Sequence, residues 1–324
     1  MAQLDPWKES LHARAAGPGL LGQLDPENQP DTANSCYFCH APLAEQQEFK
    51  SASGGGYAPN RGYDGRLKHA GVSCAVCHVR YGKVYGPPRN GKLETAQSDL
   101  RGHNGYYARD FYGKSEFCAA CHQLNDGYKL NGKLLVNTYA EWQKSNWAKD
   151  GVQCQNCHMP NREHLFKGIH DKRMTLSALD IQQVWDGKKA ALAVTNSGAG
   201  HYFPTYVTPL VIIRAHLEDS SGKTIPGSER EYKIGRKVSL DISVEEYDTR
   251  LAPGEKREYI YDGHIGSASR IVFSISVYPD YFYHGFFKST VENASAPTMG
   301  LISQALTETG KSSYKLWSGS IELQ

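Results

Sequence analysis

One five-residue pattern, Cys-x-x-Cys-His, occurs four times and uses all eight cysteines of the chain. Every copy lies before residue 160. This pattern is the attachment sequence for haem c, in which two thiols form thioethers with the haem vinyl groups and the histidine binds the iron. We therefore predict four covalent haem c groups. The predicted thioether residues are Cys36, Cys39, Cys74, Cys77, Cys118, Cys121, Cys154 and Cys157, and the predicted proximal iron ligands are His40, His78, His122 and His158.

Other uses of paired cysteines explain the pattern less well. A zinc site does not require a histidine after every pair, and a thioredoxin-like dithiol would not occur four times. Structural disulfides would leave the four histidines unexplained. Because haem attachment takes place outside the cytoplasmic membrane, we expect a periplasmic or extracellular protein. Residues 1–6 lack the charged and apolar regions of a signal peptide, so we expect that the leader has been removed; a haem-free cytoplasmic chain is the alternative.

The composition agrees with a cofactor-filled interior. The 324 residues are 40% hydrophobic, and the mean hydropathy of −0.55 is low for a chain that must bury a large core. We expect porphyrins to replace part of that core. With 36 Lys and Arg against 34 Asp and Glu, the net charge of +2 gives no sign of a nucleic-acid partner. No apolar run reaches about 18 residues, so no transmembrane segment is expected.

The residue pattern of the sequence changes after the fourth motif. Residues 1–173 are rich in turn signals, with helices predicted over 5–16 and 138–149. Strand patterns then begin, and the class predicted is α+β: a loop-rich, partly helical tetrahaem domain (1–173) followed by a β-sandwich-like domain (174–324) with a C-terminal helix and strand. The predicted strands are 181–185, 190–195 (a hairpin about Asp186-Gly187), 206–217, 237–244, 257–261, 270–278 and 314–323, with a helix near 299–307.

A low-spin electron-transfer haem needs a second axial ligand, usually histidine or methionine. The chain has only four methionines, and Met159 directly follows His158, so pairs of histidines are favoured. Position alone does not choose among six candidates for four irons, so at least two serve otherwise unless subunits exchange ligands. Those six are His12, His69, His103, His164, His170 and His201, whereas His216, His264 and His284 lie in strand-like or turn contexts where no iron is expected.

Four segments resemble those of multihaem cytochromes: Trp-Lys-Glu-Ser-Leu-His at 7–12, Gly-Val-Ser-Cys-Ala-Val-Cys-His at 71–78, residues 141–160, and Gly-His-Tyr-Phe-Pro-Thr at 200–205. The group includes the tetrahaem electron acceptors of hydroxylamine oxidoreductase and the pentahaem nitrite reductases, and the resemblance covers roughly residues 5–205. The resemblance implies that the distal ligands are His12, His69, His103 and His201, with His170 ahead of His164 for any remaining position.

The function expected from these observations is electron transfer with redox partner proteins, rather than catalysis. Nitrite reductases of the resembling group carry a Cys-x-x-Cys-Lys motif, which this sequence lacks. Two alternatives remain. Surplus histidines and the β extension would suit a homo-oligomer, such as a subunit of an extracellular cytochrome filament. A five-coordinate haem would suit an enzyme acting on nitrogen oxides or hydroxylamine. The β domain carries no catalytic motif, which favours docking or assembly.

Overall fold

A computed structural model describes residues 3–88 and 106–323. Within these residues the chain packs into two units, each assembled from three separated stretches. The first unit comprises Met1–His122, Val152–Lys167 and Thr290–Ala305. The second unit comprises Gln123–Gly151, Gly168–Ser289 and Leu306–Gln324. The single domain boundary at residue 173 stays a prediction.

The described chain contains both helices and strands, with seven consecutive strands between α10 and α11, in agreement with the α+β class. The helices are α1 (Leu4–Glu9), α2 (Pro18–Leu21), α3 (Pro30–His40), α4 (Gly65–Lys68), α5 (Cys74–His78), α6 (Glu116–His122), α7 (Thr138–Gln143), α8 (Asn146–Lys149), α9 (Cys154–His158), α10 (Lys172–Ser177), α11 (Tyr281–Thr290) and α12 (Ala296–Gly310). The strands are β1 (Phe49–Ser51), β2 (Tyr57–Pro59), β3 (Val79–Arg80), β4 (Lys83–Gly86), β5 (Tyr106–Ala108), β6 (Lys129–Leu130), β7 (Lys133–Leu134), β8 (Leu179–Trp185), β9 (Ala190–Asn196), β10 (Leu210–Glu218), β11 (Arg230–Val238), β12 (Glu245–Asp248), β13 (Lys256–Ile260), β14 (Arg270–Tyr278) and β15 (Tyr314–Glu322). Among the described residues, none of the helices has the length and apolarity needed to cross a membrane.

The second unit is a β-sandwich. One sheet has five strands in the order β12-β11-β10-β14-β15, and the other has three in the order β13-β9-β8. All neighbouring strands are antiparallel. Buried side chains from both sheets, such as Leu192 and Ile213, share one apolar core. The predicted β8–β9 hairpin is confirmed, but its turn has the four residues 186–189 instead of the expected two, because Trp185 pairs with Ala190. Asp186 closes the turn by accepting from the amides of Lys188 and Lys189.

Strand β14 shows why a period-two pattern predicts this fold. Its odd-numbered residues are buried and its even-numbered residues are partly exposed, as expected for a strand with one face on a core. Phe273 lies at the centre and is fully buried. We expect Phe273→Ala to destabilise the second unit by about 3–5 kcal/mol, through lost burial and a cavity. Denaturant unfolding would measure the loss, with Ser274→Ala on the opposite face as a control that changes little.

Three local expectations are wrong for identifiable reasons. The strand over 237–244 is interrupted, because the Asp241 carboxylate accepts hydrogen bonds from the hydroxyls of Ser239 and Ser243 and closes a turn between β11 and β12. The helix over 5–16 ends at Glu9, because Ser10 donates to the Trp7 carbonyl and begins a second turn. The helix over 138–149 is divided into α7 and α8 at the serine that caps α8.

The first unit contains little apolar core. One small cluster is formed by Ala16, Leu24, Ala33, Tyr37 and Ala41. The sandwich core, by contrast, includes long runs of buried Leu, Ile, Val and Phe. Most helices of the first unit are short, and its strands have two to four residues. Elements this short do not hold a fold together without tertiary contacts.

Candidate haem-binding site

Each predicted haem motif forms a short helix that ends at its histidine. Helix α5 and helix α9 consist of the motif alone, whereas α3 and α6 have the motif as their last five residues. Residues three apart lie on one face of a helix, so each turn presents its two thiols together. All eight cysteines are free thiols, and Cys74 and Cys157 are exposed. The local geometry therefore suits the two thioether bonds that each motif would make to one haem.

Three of the motif histidines are oriented by the backbone. Nδ1 of His40 lies 2.9 Å from the Ala15 carbonyl oxygen, and Nδ1 of His78 lies 2.7 Å from that of Tyr85. Nδ1 of His158 lies 2.6 Å from the carbonyl oxygen of Lys167. A carbonyl only accepts hydrogen bonds, so the proton resides on Nδ1 and Nε2 is the nitrogen that can bind a metal.

Two motif histidines face a second imidazole. The ring centres of His122 and His12 are 6.2 Å apart, with an angle of 50° between the planes. The ring centres of His78 and His164 are also 6.2 Å apart, with an angle of 41°. Two imidazoles bound on opposite sides of one metal, each by a bond of about 2 Å, have ring centres roughly 6 Å apart. Nδ1 of His164 contacts the Arg162 carbonyl at 2.9 Å, which again assigns metal binding to Nε2.

His12 is held neutral by its surroundings. Its pKa is lowered to about 4, chiefly by burial and to a smaller extent by the neighbouring His158, His164 and His40. The Phe166 ring covers it, with centroids 4.2 Å apart. Neutral imidazole is the form that binds iron. Its protonation state at neutral pH therefore fits the ligand role predicted for it.

The third and fourth motifs are tied together at their first turns. The Ser115 hydroxyl accepts from the Cys154 amide at 2.9 Å, and the Gln153 side chain accepts from the Ser115 amide at 2.8 Å. Ser115 is fully buried. Each segment thus satisfies an amide at the start of the other motif, where a helix has no internal partners.

We expect Ser115→Ala to destabilise the first unit by about 1–2 kcal/mol, because it leaves the Cys154 amide and the Gln153 carbonyl oxygen short of a partner. Thermal unfolding of the haem-loaded protein would measure it. Ser73→Ala is a matched control, since Ser73 caps α5 and makes no side-chain capping bond. An equal loss in both variants would contradict the role given to Ser115.

Thiols of different motifs also lie close together. Cys39 of the first motif and Cys121 of the third share a hydrogen bond. This bond and burial raise the pKa of Cys39, and the bond lowers the pKa of Cys121 to about 7. A second thiol pair behaves in the same way: the pKa of Cys118 is raised, and that of Cys154 is lowered to about 7. The third motif therefore adjoins both the first and the fourth.

The remaining predicted distal ligands are placed differently. His69 is exposed at the end of α4. His103 lies outside the described residues. Nε2 of His170 lies 3.1 Å from both carboxylate oxygens of Asp280 in the second unit. The structure thus brings His12 and His164 to motif histidines and pairs His170 with a carboxylate; the ligand roles given to His69, His103, His170 and His201 stay predictions.

His201 lies in a loop fixed by the segment at 141–145. The Glu141 carboxylate accepts from the Tyr202 amide at 3.1 Å and from the Thr205 hydroxyl at 2.7 Å. A Cβ atom on Gly200 would lie 3.1 Å from the Trp142 ring, so a larger residue would require the ring to shift. Nδ1 of His201 lies 2.8 Å from the Tyr202 carbonyl, which assigns metal binding to Nε2. The segments at 141–160 and 200–205, which both resemble those of multihaem cytochromes, are therefore in contact through Glu141.

Comparison with known proteins supports the fold. The chain is similar to the crystal structure of a penta-heme cytochrome c552 from Thermochromatium tepidum, with a TM-score of 0.61 and 17% identity. The match covers 99% of this chain and 96% of that one. The fold is that of a multihaem cytochrome. No protein-family profile and no curated protein matches the chain.

The residues present fit covalent haem. Paired thiols lie beside histidines whose Nδ1 atoms are already bound, and two opposing imidazoles stand at the spacing of axial ligands. The unit that carries them has a small apolar core, which a large apolar cofactor would complete. Sequence reasoning ranked His164 below His170 and did not anticipate Ser115. Nearness to the fourth motif was the only signal for His164. Ser115 directly precedes α6, as capping residues do, but its bond to the Cys154 amide is a tertiary contact that the sequence does not show.

Proposed function

We propose that this protein is a tetrahaem c-type cytochrome that carries electrons outside the cytoplasm, and that it is not a catalyst. The observation that carries the proposal is the pairing of His122 with His12, and of His78 with His164, at ring-centre distances of 6.2 Å. That spacing supports two irons with histidine on both sides. When bound, haem c supplies one-electron oxidation and reduction at its iron.

The protein residues have separate tasks in this proposal. The thiols fix each group in the chain, and the motif histidines bind on one side of the iron. Hydrogen bonds from Nδ1 to backbone carbonyls orient three of these rings and leave Nε2 as the nitrogen that would bind iron. An iron with histidine on both sides has no open position for a substrate, which supports a carrier over an enzyme.

The number of motifs supports four haems rather than five. The similar cytochrome c552 is described as penta-heme. The present sequence has eight cysteines, all within four motifs. A fifth group attached by two thioethers would have no thiols left. The proximity of the first, third and fourth motifs suits passage of electrons within one unit to redox partner proteins at its surface.

The test is the haem content and spin state of protein produced with a c-type maturation system. We expect four haems per chain by pyridine haemochrome assay, a matching mass increase, and low-spin electron paramagnetic resonance (EPR) signals only. Cys118→Ala with Cys121→Ala should lower the content to three. A chain without haem would refute the proposal. One stoichiometric high-spin haem that binds hydroxylamine or nitric oxide would favour the enzyme alternative instead.

A further inference from the structure

The turn that carries His12, residues 10–16, contacts two motifs and the segment that precedes a third. Its His12 imidazole pairs with that of His122 in the third motif. Its Ala15 carbonyl lies 2.9 Å from Nδ1 of His40 in the first motif. Its His12 carbonyl accepts from the Val72 amide at 2.8 Å, two residues before the second motif begins. We call residues 10–16 the N-terminal turn.

The segment that packs against the N-terminal turn is held in place by hydrogen bonds from a buried side chain. The Gln46 side chain is fully buried and donates to the carbonyls of Leu67 and Gly71, each at 2.9 Å. Gly71 has a positive φ of 55°, a conformation that suits glycine. A Cβ atom there would lie 2.5 Å from the His12 carbonyl oxygen and 3.0 Å from the Ala15 nitrogen. The turn therefore rests directly on the Gly71 backbone.

Helix α1 fastens the same segment from the other side. The Trp7 indole donates to the Val72 carbonyl at 2.9 Å. Ser10 is buried, donates to the Trp7 carbonyl at 2.7 Å and accepts from the Ala13 amide at 3.3 Å. Helix, turn and the 71–72 segment thus form one hydrogen-bonded block.

We propose that the N-terminal turn couples the first and third haem sites, with Gly71, Gln46 and Trp7 as positioning residues. One end of the turn holds the imidazole opposite His122, and the other accepts the Nδ1 proton of His40. Displacing the turn moves the His12 imidazole and weakens the hydrogen bond from His40 Nδ1 to the Ala15 carbonyl. The ligand geometry of the third site and the ligand basicity of the first therefore change together.

The inference rests on the proposed function, because it concerns histidines that act as ligands only when haem is bound. The experiment uses Gly71→Ala in the haem-loaded protein, with Gly56→Ala as its matched control. Gly56 also has a positive φ, of 70°, but a Cβ atom there would meet nothing within 4 Å. Both variants therefore strain the backbone, and only one displaces the N-terminal turn.

EPR spectra and reductive titrations are recorded for each variant, with haem content measured on the same samples. Signals are assigned to the first and third sites from His40→Met and His122→Met proteins. We expect Gly71→Ala to shift the EPR signals and midpoint potentials of both sites and to leave the other two unchanged. Gly56→Ala should shift none. Trp7→Phe removes a single hydrogen bond and should give the same pattern in weaker form, even if Gly71→Ala does not fold.

The outcomes separate this inference from the function it rests on. A wild-type chain without haem refutes both. Four haems in the wild type, with Gly71→Ala or Trp7→Phe altering the third site alone, refutes the coupling and leaves the electron-transfer proposal intact. Equal effects from Gly71→Ala and Gly56→Ala refute it as well, because the change would then follow from backbone strain.

Discussion

Replacement of His164 by alanine is expected to convert one of the four proposed haems from low spin to high spin. The affected haem is the one on Cys74 and Cys77, because the His164 ring centre lies 6.2 Å from that of His78. Loss of the second axial ligand leaves a five-coordinate iron. We expect a high-spin EPR signal from this site, carbon monoxide binding in the ferrous state, and recovery of the low-spin signal when imidazole is added.

His170→Ala is the matched control, since both histidines follow the fourth motif and the sequence favours His170. In the structure Nε2 of His170 contacts the Asp280 carboxylate at 3.1 Å. We expect all four haems of this variant to stay low spin, with a stability loss of at most about 1 kcal/mol for a partly exposed ion pair. A high-spin haem in His170→Ala and none in His164→Ala would show that the order expected from the sequence is correct.

The second large effect concerns folding without haem. We expect a chain with all eight cysteines replaced by alanine to keep a folded second unit and to lose the structure of the first. The sandwich has its own core of buried aliphatic and aromatic side chains. The first unit has a cluster of five buried side chains, three of them alanine. So few apolar contacts do not compensate the conformational entropy of ordering that many residues.

Amide hydrogen exchange would measure this difference in one sample. Amides of β9, β10 and β14 should remain protected, whereas those of α3, α5, α6 and α9 should exchange at rates close to those of an unfolded chain. The haem-loaded protein is the reference, and protection should be regained in the first unit only when haem is attached. Persistent protection of the motif helices in the haem-free chain would contradict the proposed role of the cofactor as core.

Sequence patterns were most reliable where one local rule controls the structure. Strand β14 follows from alternation, and the β8–β9 hairpin follows from Asp186 and Gly187 at its turn. The rule failed over 237–244, where alternation continues but the Asp241 side chain closes a turn. Helix α11 was not anticipated, because its residues, rich in Tyr and Phe, show no helical signal apart from their final packing.

What the sequence determined by itself is the local arrangement of each motif. The spacing of Cys36, Cys39 and His40, repeated three times, predicts covalent haem because it places two thiols and an imidazole within one helical turn. Only the tertiary structure decided which distant histidines face the second and third motifs, since His12 and His122 meet through packing between segments far apart in the chain. The preference for His164 over His170 has the same origin: the two are near neighbours in sequence, and only their surroundings differ, an imidazole for one and a carboxylate for the other.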